Sequence, residues 1–336
     1  MLAIIEKAMD NNQVTIVIPV KNDEIGLERC LHSLTELCKK DSISEIIVID
    51  NGSTDNTTNV AISYNAKLFI NKNESVAGLR NIGSSMATGD IIGFIDSDCV
   101  ADKMWIVSAI NHFDDNNIAC VGSMAKSLER TYFESAWSEF RTRRRGTQEV
   151  GWINSMNMFV RKDIFIEYGG FNSSLKTCED VDLCYRISRK YKIMSDDNVI
   201  VYHYGEATNL RVFIKKEIWR GYSNLDGIVS HKIVLKELPS IFLPIYFLST
   251  LLSMLISTAT LPIAYLFIAS TLHVMPFVFF LFFRLYQTKV FMALYQTYIM
   301  YFYAFARSIA LVQRALDGIR HIYARIIDFH KFKAAH

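Results

Sequence analysis

The sequence predicts an α/β domain on a mixed, mostly parallel sheet, followed by a helical segment of membrane composition. Three observations carry this. Short β-rich runs alternate with helical stretches through the front of the chain. Polar turns follow those runs, at the strand ends where open α/β sheets gather ligands. From Leu238 to Phe283, 46 residues pass without Asp, Glu, Lys or Arg. That is more than twice the roughly 20 residues that cross a bilayer once as a helix.

The elements follow in order. VTIVIPV (Val14–Val20) is a β-rich run stopped by Pro19. In IGLERCLHSLTELCKK (residues 25–40), Leu27, Leu31, Leu34 and Leu37 recur near helical spacing. EIIVIDNGSTDNT (Glu45–Thr57) reads as a buried strand and a polar turn with cap residues. NESVAGLRNIGSSMATGD (Asn73–Asp90) is expected to form a loop, a helix and a glycine stop before the strand IIGFI. The start, MLAIIEKAMDNNQ, lacks the basic and apolar regions of a secretory signal. Six cysteines (Cys30, Cys38, Cys99, Cys120, Cys178 and Cys184) show no CxxC pair. Reduced buried thiols are expected, and with them a cytoplasmic front domain.

Within the charge-free run, Ser240–Ser257 and Leu261–Phe283 are each about long enough to span, with Thr258–Thr260 and Pro262 as the tight turn. Val290–Ala306 is ambiguous. As a third span it would carry the basic tail across the membrane from the front domain, against the positive-inside tendency. Further on, Val312, Leu316, Ile319, Tyr323 and Ile326 recur at helical spacing, with Arg314, Asp317, Arg320 and Arg325 in other directions. That composition suits a helix lying in the headgroup layer. The expected organisation is a front domain over 1–237, a hydrophobic hairpin over 238–283 and a basic interfacial tail over 284–336. This makes a multi-pass membrane protein with two spans, or three if 290–306 crosses. The front carries 28 Lys+Arg against 32 Asp+Glu, so nucleic acid is not an expected partner.

The strand IIGFI ends in Asp96-Ser97-Asp98. Residues i and i+2 of an extended segment point to the same side, and two carboxylates so placed repel unless a cation lies between them. Mg²⁺ or Mn²⁺ prefers such oxygen ligands and keeps positions for substrate phosphates. Two more strand ends are polar, IPVKND (Ile18–Asp23) and IDNGSTDNT (Ile49–Thr57). Each alone could be ordinary turn chemistry.

In this order, VTIVIPVKN, EIIVIDNGSTDNT, AGLRNIGSSMATGDIIGFIDSDC, INSMNMFVRKDIFIEYGGFN and CEDVDLCYR resemble the inverting glycosyltransferases of family 2, over roughly residues 14–205. The resemblance implies a GT-A nucleotide-sugar fold and assigns roles. Asp50 would hydrogen-bond the nucleotide base, with Pro19 and Val20 lining its pocket. Arg80 falls on the donor side. Asp96 and Asp98 match the D-x-D that holds the cation against the donor diphosphate. Glu179-Asp180 matches the E-D motif, Asp180 as the acceptor's base and Glu179 tuning it. As the acidic first turn of a helix, the same residues have a purely structural reading. His203 in VYHYGEAT would lie near the metal or the acceptor, or be structural.

RVFIKKEIWRGYSN (Arg211–Asn224), which supplies Arg220 as a donor-side residue, sits where processive synthases carry Q-x-x-R-W but departs from it. Processive polymerisation is therefore not expected. FRTRRR (Phe140–Arg145) is either a solvated face or an attractor of lipid phosphates.

The implied reaction moves one sugar from a nucleotide-diphosphate-sugar to a hydroxyl of a lipid-linked or polysaccharide-precursor acceptor, with inversion and Mg²⁺ or Mn²⁺ as cofactor. The alternatives are a polyprenyl-phosphate glycosyltransferase, although the DADLQHP-like sequence usual there is absent, and a non-catalytic membrane scaffold retaining the fold. Donor, acceptor and oligomeric state stay open.

Overall fold

The computed structural model describes residues 13–38, 43–128, 130–141, 146–222, 238–260 and 262–334. The chain divides into two compact units, Met1–Glu206 and Ala207–His336, so the expected boundary at 237/238 falls inside the second.

The first unit is built on an eight-stranded mixed sheet. Its strands are β1 (Val14–Val20), β2 (Ile43–Asp50), β3 (Lys67–Ile70), β4 (Ile91–Ile95), β6 (Ile118–Gly122), β8 (Gln148–Glu149), β9 (Asn157–Arg161) and β10 (Lys192–Ser195), in the order β3-β2-β1-β4-β9-β6-β10-β8. β1 pairs in parallel with β2 and β4, and β2 with β3. β9 runs antiparallel between β4 and β6. Every residue of β1 and β4 is buried. Helices cover both faces, which is why these strands read as unbroken apolar runs.

One cover is α1 (Glu24–Cys38), which seats Leu27, Leu31, Leu34 and Leu37 in the core as their spacing predicts. After α2 (Thr57–Ser63), the helix α3 (Val76–Met86) starts at Ser75, whose hydroxyl accepts from Gly78 N at 3.1 Å. Its Gly83 passes so close to β1 that a Cβ would meet Val17 Cγ1 at 2.5 Å. The remaining helices of this unit are α4 (Trp105–Ile110), α5 (Tyr132–Arg141), α6 (Lys162–Glu167) and α7 (Glu179–Ile187).

A second, three-stranded sheet joins β5 (Cys99–Ala101), β11 (Val201–His203) and β7 (Lys126–Ser127), in the order β5-β11-β7. Asp96-Ser97-Asp98 is the link from β4 of the large sheet to β5 of the small one. β11 pairs antiparallel with β5 and sets His203 opposite Cys99.

The second unit contains α8 (Leu210–Gly221), α9 (Leu238–Thr260), α10 (Ile263–Leu285) and α11 (Val290–Ala334). Two windows, Ser240–Ala259 and Ile263–Leu285, are long and apolar enough to cross a membrane, and only 22% and 17% of them is buried within the chain. A soluble core helix would be mostly buried, whereas here Phe242, Phe267, Phe279 and Phe282 face outward. The helix α9 continues through Thr258–Thr260, so those residues are not the expected turn. The next helix, α10, begins at Ile263 directly after Pro262. Val290–Ala306 is the first part of the 45-residue α11, about 67 Å long at 1.5 Å per residue. On α8, Glu217 accepts from Arg307 of α11 at 2.8 and 3.0 Å and pairs with Arg220 at 2.8 Å. Gly221 lies against Ala310 and Arg307.

Candidate active site

The strand ends β1, β2 and β4 converge as their polar turns predict. Parallel register sets Val20 beside Asp50. Asp50 is 1% exposed, and its Oδ2 accepts from Gly52 N at 3.0 Å and Ser53 N at 2.9 Å. The Ser53 hydroxyl donates to its other oxygen. The carboxylate thereby folds the NGS turn that edges the β2 end. Asp23, after β1, accepts from Gly26 N at 3.1 Å and from the Ser97 hydroxyl at 2.7 Å, so the first polar turn supports the middle of Asp96-Ser97-Asp98.

The two carboxylates of that triplet have different partners. Asp98 Oδ2 lies 3.1 Å from His203 Nε2, and His203 Nδ1 lies 3.3 Å from Glu206 Oε1. Burial pushes the His203 imidazolium down, but the Asp98 and Glu206 carboxylates outweigh it and raise its pKa to about 9. Asp96 Oδ1 instead accepts from Arg80 Nη2 at 2.6 Å.

Arg80, 2% exposed on α3, also donates from Nη1 to Glu179 Oε1 at 2.9 Å. One guanidinium thus joins the end of β4 to the start of α7. The neighbouring Asn81 clamps the loop before α7, donating to Phe171 O at 2.7 Å and accepting from Phe171 N at 2.9 Å. Phe171 packs on Phe94 and Phe165, with ring centroids 5.1 and 5.4 Å apart. This is how GLRN and GGFN, far apart in sequence, brace the same corner.

Glu179-Asp180 opens α7 after Cys178, which adopts a left-handed φ of 67°. Asp180 accepts from Val181 N at 2.8 Å and Ser155 N at 3.3 Å. Burial, and then the Glu179 carboxylate, raise its pKa to about 7 against the opposing pull of those hydrogen bonds and of Arg80. A carboxyl that ionises near neutrality beside an arginine-braced glutamate is equipped to take a proton.

The donor set also fits a hard divalent cation. Asp96 and Asp98 are partly exposed carboxylates, with 27% and 34% of their side chains accessible, and His203 adds an imidazole nitrogen. Glu206 orients that ring as carboxylates orient metal-ligating histidines. The turn after β11 can lie against the pair because residue 205 is glycine. A Cβ there would overlap Asp98 Oδ2 and stand 2.7 Å from His203 Nε2.

Asp96, Asp98, His203, Arg80, Glu179 and Asp180 are therefore gathered in one region, with Pro19, Val20 and Asp50 at adjoining strand ends. Arg220 lies in the second unit, paired with Glu217. Arg143, Arg144 and Arg145 lie outside the described residues, and of Arg141 only the backbone is described. Sequence reasoning passed over Ser155 and Glu206. Glu206 follows His203 at i+3 within the quoted VYHYGEAT, a spacing that could have suggested it.

Comparison with known proteins shows a likeness to glycosyltransferases. The sequence model described as Glycosyl transferase family 2 matches residues 15–169, a stretch that ends ten residues before Glu179. A pre-mycofactocin glycosyltransferase of Mycobacterium tuberculosis is 26% identical over 235 residues, 66% of this chain and 48% of that protein. Glycosyltransferase AglE of Haloferax volcanii is 26% identical over 181 residues, 50% of this chain and 59% of that protein. The chain thus spans about half the length of these curated relatives. Among solved structures, the mannosyltransferase PcManGT from Pyrobaculum calidifontis, in complex with GDP-Man and Mn²⁺, aligns over 94% of each chain with a TM-score of 0.63 and 15% identity. Glucosyl-3-phosphoglycerate synthase from M. tuberculosis, with Mg²⁺ and UDP, aligns over 70% of this chain and 84% of its own with a TM-score of 0.52. These likenesses show the fold, which is GT-A.

Proposed function

Residues 15–169 belong to glycosyl transferase family 2, and from that premise we propose that the chain is a membrane-associated inverting glycosyltransferase. Its donor is a nucleotide-diphosphate-sugar, and its acceptor a hydroxyl of a lipid-linked or glycan-precursor molecule. The observation that carries the reading is the chain of contacts His203–Asp98 and Asp96–Arg80–Glu179, with the near-neutral Asp180 beside Glu179.

Asp96, Asp98 and His203 would hold Mg²⁺ or Mn²⁺, which when bound supplies positive charge to the departing diphosphate. Asp180 takes the proton from the acceptor hydroxyl, on the face opposite the leaving group as single displacement requires. Ser155 N and Val181 N hold its two oxygens. Burial, and then Glu179, keep the Asp180 proton affinity high while its backbone hydrogen bonds and Arg80 limit it, leaving the base near neutrality. Asp50, Pro19 and Val20 form the base-binding edge, and Arg80 acts at the donor side by fixing Asp96. For Arg220, in the second unit, a donor role rests on sequence resemblance alone.

The acceptor assignment is supported by the outward-facing apolar helices α9 and α10, which would bring a lipid-linked sugar to the surface where the protein sits. The cysteine usage and the basic tail support a two-span protein with its catalytic unit on the cytoplasmic side.

The test is a transfer and donor-hydrolysis screen of the purified full chain with UDP-, GDP- and dTDP-sugars, with and without Mn²⁺. Metal-dependent turnover of one donor is expected, and no binding of any donor would leave the scaffold reading. An Asp180→Asn variant keeping its transfer rate would point to a phosphate acceptor that needs little base catalysis.

A further inference from the structure

Cys99 stands immediately after the second carboxylate of Asp96-Ser97-Asp98, and the hard-cation chemistry above has no use for it. Its Sγ lies 3.8 Å from Asp98 Oδ1. In the β5–β11 ladder it is the direct cross-strand partner of His203, so the two side chains share one face of the small sheet. One ligand atom each from Asp98, Cys99 and His203 falls within 4.8 Å of the others, and the nearest Asp98–His203 approach is 3.1 Å.

A tetrahedral Zn²⁺ with bonds of about 2.0 Å to N and O and about 2.3 Å to S separates its ligand atoms by roughly 3.3–3.6 Å. The two Asp98 approaches, 3.1 Å through Oδ2 to His203 and 3.8 Å through Oδ1 to Cys99, lie close to that range, and all three ligand atoms fall within 4.8 Å. The imidazole is already oriented by Glu206, as a ligating histidine needs. Softness then decides which cation gains from the third ligand. Thiolate favours Zn²⁺ or Cd²⁺, whereas Mg²⁺ and Mn²⁺ take oxygen and imidazole.

We propose that Asp98, Cys99 and His203 form a site for a thiophilic divalent cation, Zn²⁺ or Cd²⁺, whose occupation withdraws Asp98 and His203 from the hard-cation set. As the Sγ–cation bond forms, the thiol proton leaves to solvent. The cation enters from the Asp98 side, since Cys99 is fully buried while a third of the Asp98 side chain is accessible. The binding part stands by itself, and only the inhibitory part rests on the function proposed above.

The experiment titrates Cd²⁺ into the purified full chain in detergent and follows the ultraviolet thiolate-to-Cd²⁺ charge-transfer band. A saturable band is expected in the wild type, lost in both Cys99→Ser and Cys99→Ala and displaced to higher Cd²⁺ by excess Mn²⁺. In transfer assays supported by Mn²⁺, Zn²⁺ inhibits the wild type, and Cys99→Ser raises the inhibitory midpoint by about tenfold or more, as loss of a metal ligand does, with basal turnover unchanged. A band that survives in both variants would place the thiolate elsewhere and overturn the proposal. Zn²⁺ sensitivity unchanged in Cys99→Ser would overturn its inhibitory half. Should the chain show no transfer with any donor, the proposed function fails while the Cd²⁺ band still decides the site.

Discussion

The Arg80 guanidinium donates to Glu179 Oε1 at 2.9 Å across 99 residues of chain, and both groups are buried. Its other outer nitrogen holds Asp96. Removing the cation would leave two carboxylates facing each other, and breaking such a buried pair costs about 3–5 kcal/mol. Arg80→Gln should therefore lower the Tm and nearly abolish transfer. Arg80→Lys keeps the charge but not the fork that reaches both partners, so it should fold better than Arg80→Gln and still be slow. Thermal melts beside kcat check this, and a wild-type rate in Arg80→Gln would refute it.

Asp180 gives a pH prediction. With its pKa raised to about 7, the ionised base is lost as pH falls through that value, so kcat should decline on the acidic side with a midpoint near 7. Asp180→Asn should cost about 10²–10⁴-fold in kcat, the usual worth of a positioned base, and remove that limb.

Stability should run the other way. In the unfolded chain the carboxyl ionises at its ordinary, lower pH, so ionisation favours unfolding as pH rises towards 7, and the penalty is complete above it. Asp180→Asn should thus raise the Tm at pH 8 and change it little at pH 4. Equal shifts at both pH values would contradict the raised pKa.

Metal dependence should track His203 and its support. Glu206→Gln, which removes only the group orienting the ring, is expected to weaken Mn²⁺ activation by about 10–100-fold, and His203→Ala to weaken it further. The Mn²⁺ midpoint of transfer measures both, and EDTA should abolish wild-type turnover.

Gly205→Ala tests the close approach at the same place. Its Cβ would overlap Asp98 Oδ2, so the Mn²⁺ midpoint should rise while the far-UV CD spectrum stays that of the wild type. An unchanged midpoint would show that the turn after β11 does not shape the site.

Much of the large sheet was legible in the sequence because β1, β2 and β4 are apolar runs buried on both faces and closed by polar turns. The D-x-D could be placed at the end of β4 for the same reason. The small sheet could not be read. Its strands are two or three residues long, too short for any periodicity, yet that sheet is what sets His203 against Asp98. Arg80 was legible as a site residue, but its double engagement with Asp96 and Glu179 depends on packing between α3 and α7 that no local pattern encodes. The apolar hairpin was plain from charge exclusion. Its turn was misplaced by a few residues because Thr258–Thr260 are as compatible with a helix end as with a loop. Hydropathy likewise suggested a divided tail where one helix runs unbroken from Val290 to Ala334.

The Glu217–Arg307 pair bears on how this chain can be dissected. Glu217 is 1% exposed and answered by an arginine 90 residues downstream, with Gly221 fitted against Ala310. A soluble fragment cut after residue 237 would retain α8 and its Arg220 but discard Arg307 and the helix's seat, leaving Glu217 with one of its two cationic partners and baring an apolar flank. A fragment ending at Glu206, the boundary of the first compact unit, sheds that liability.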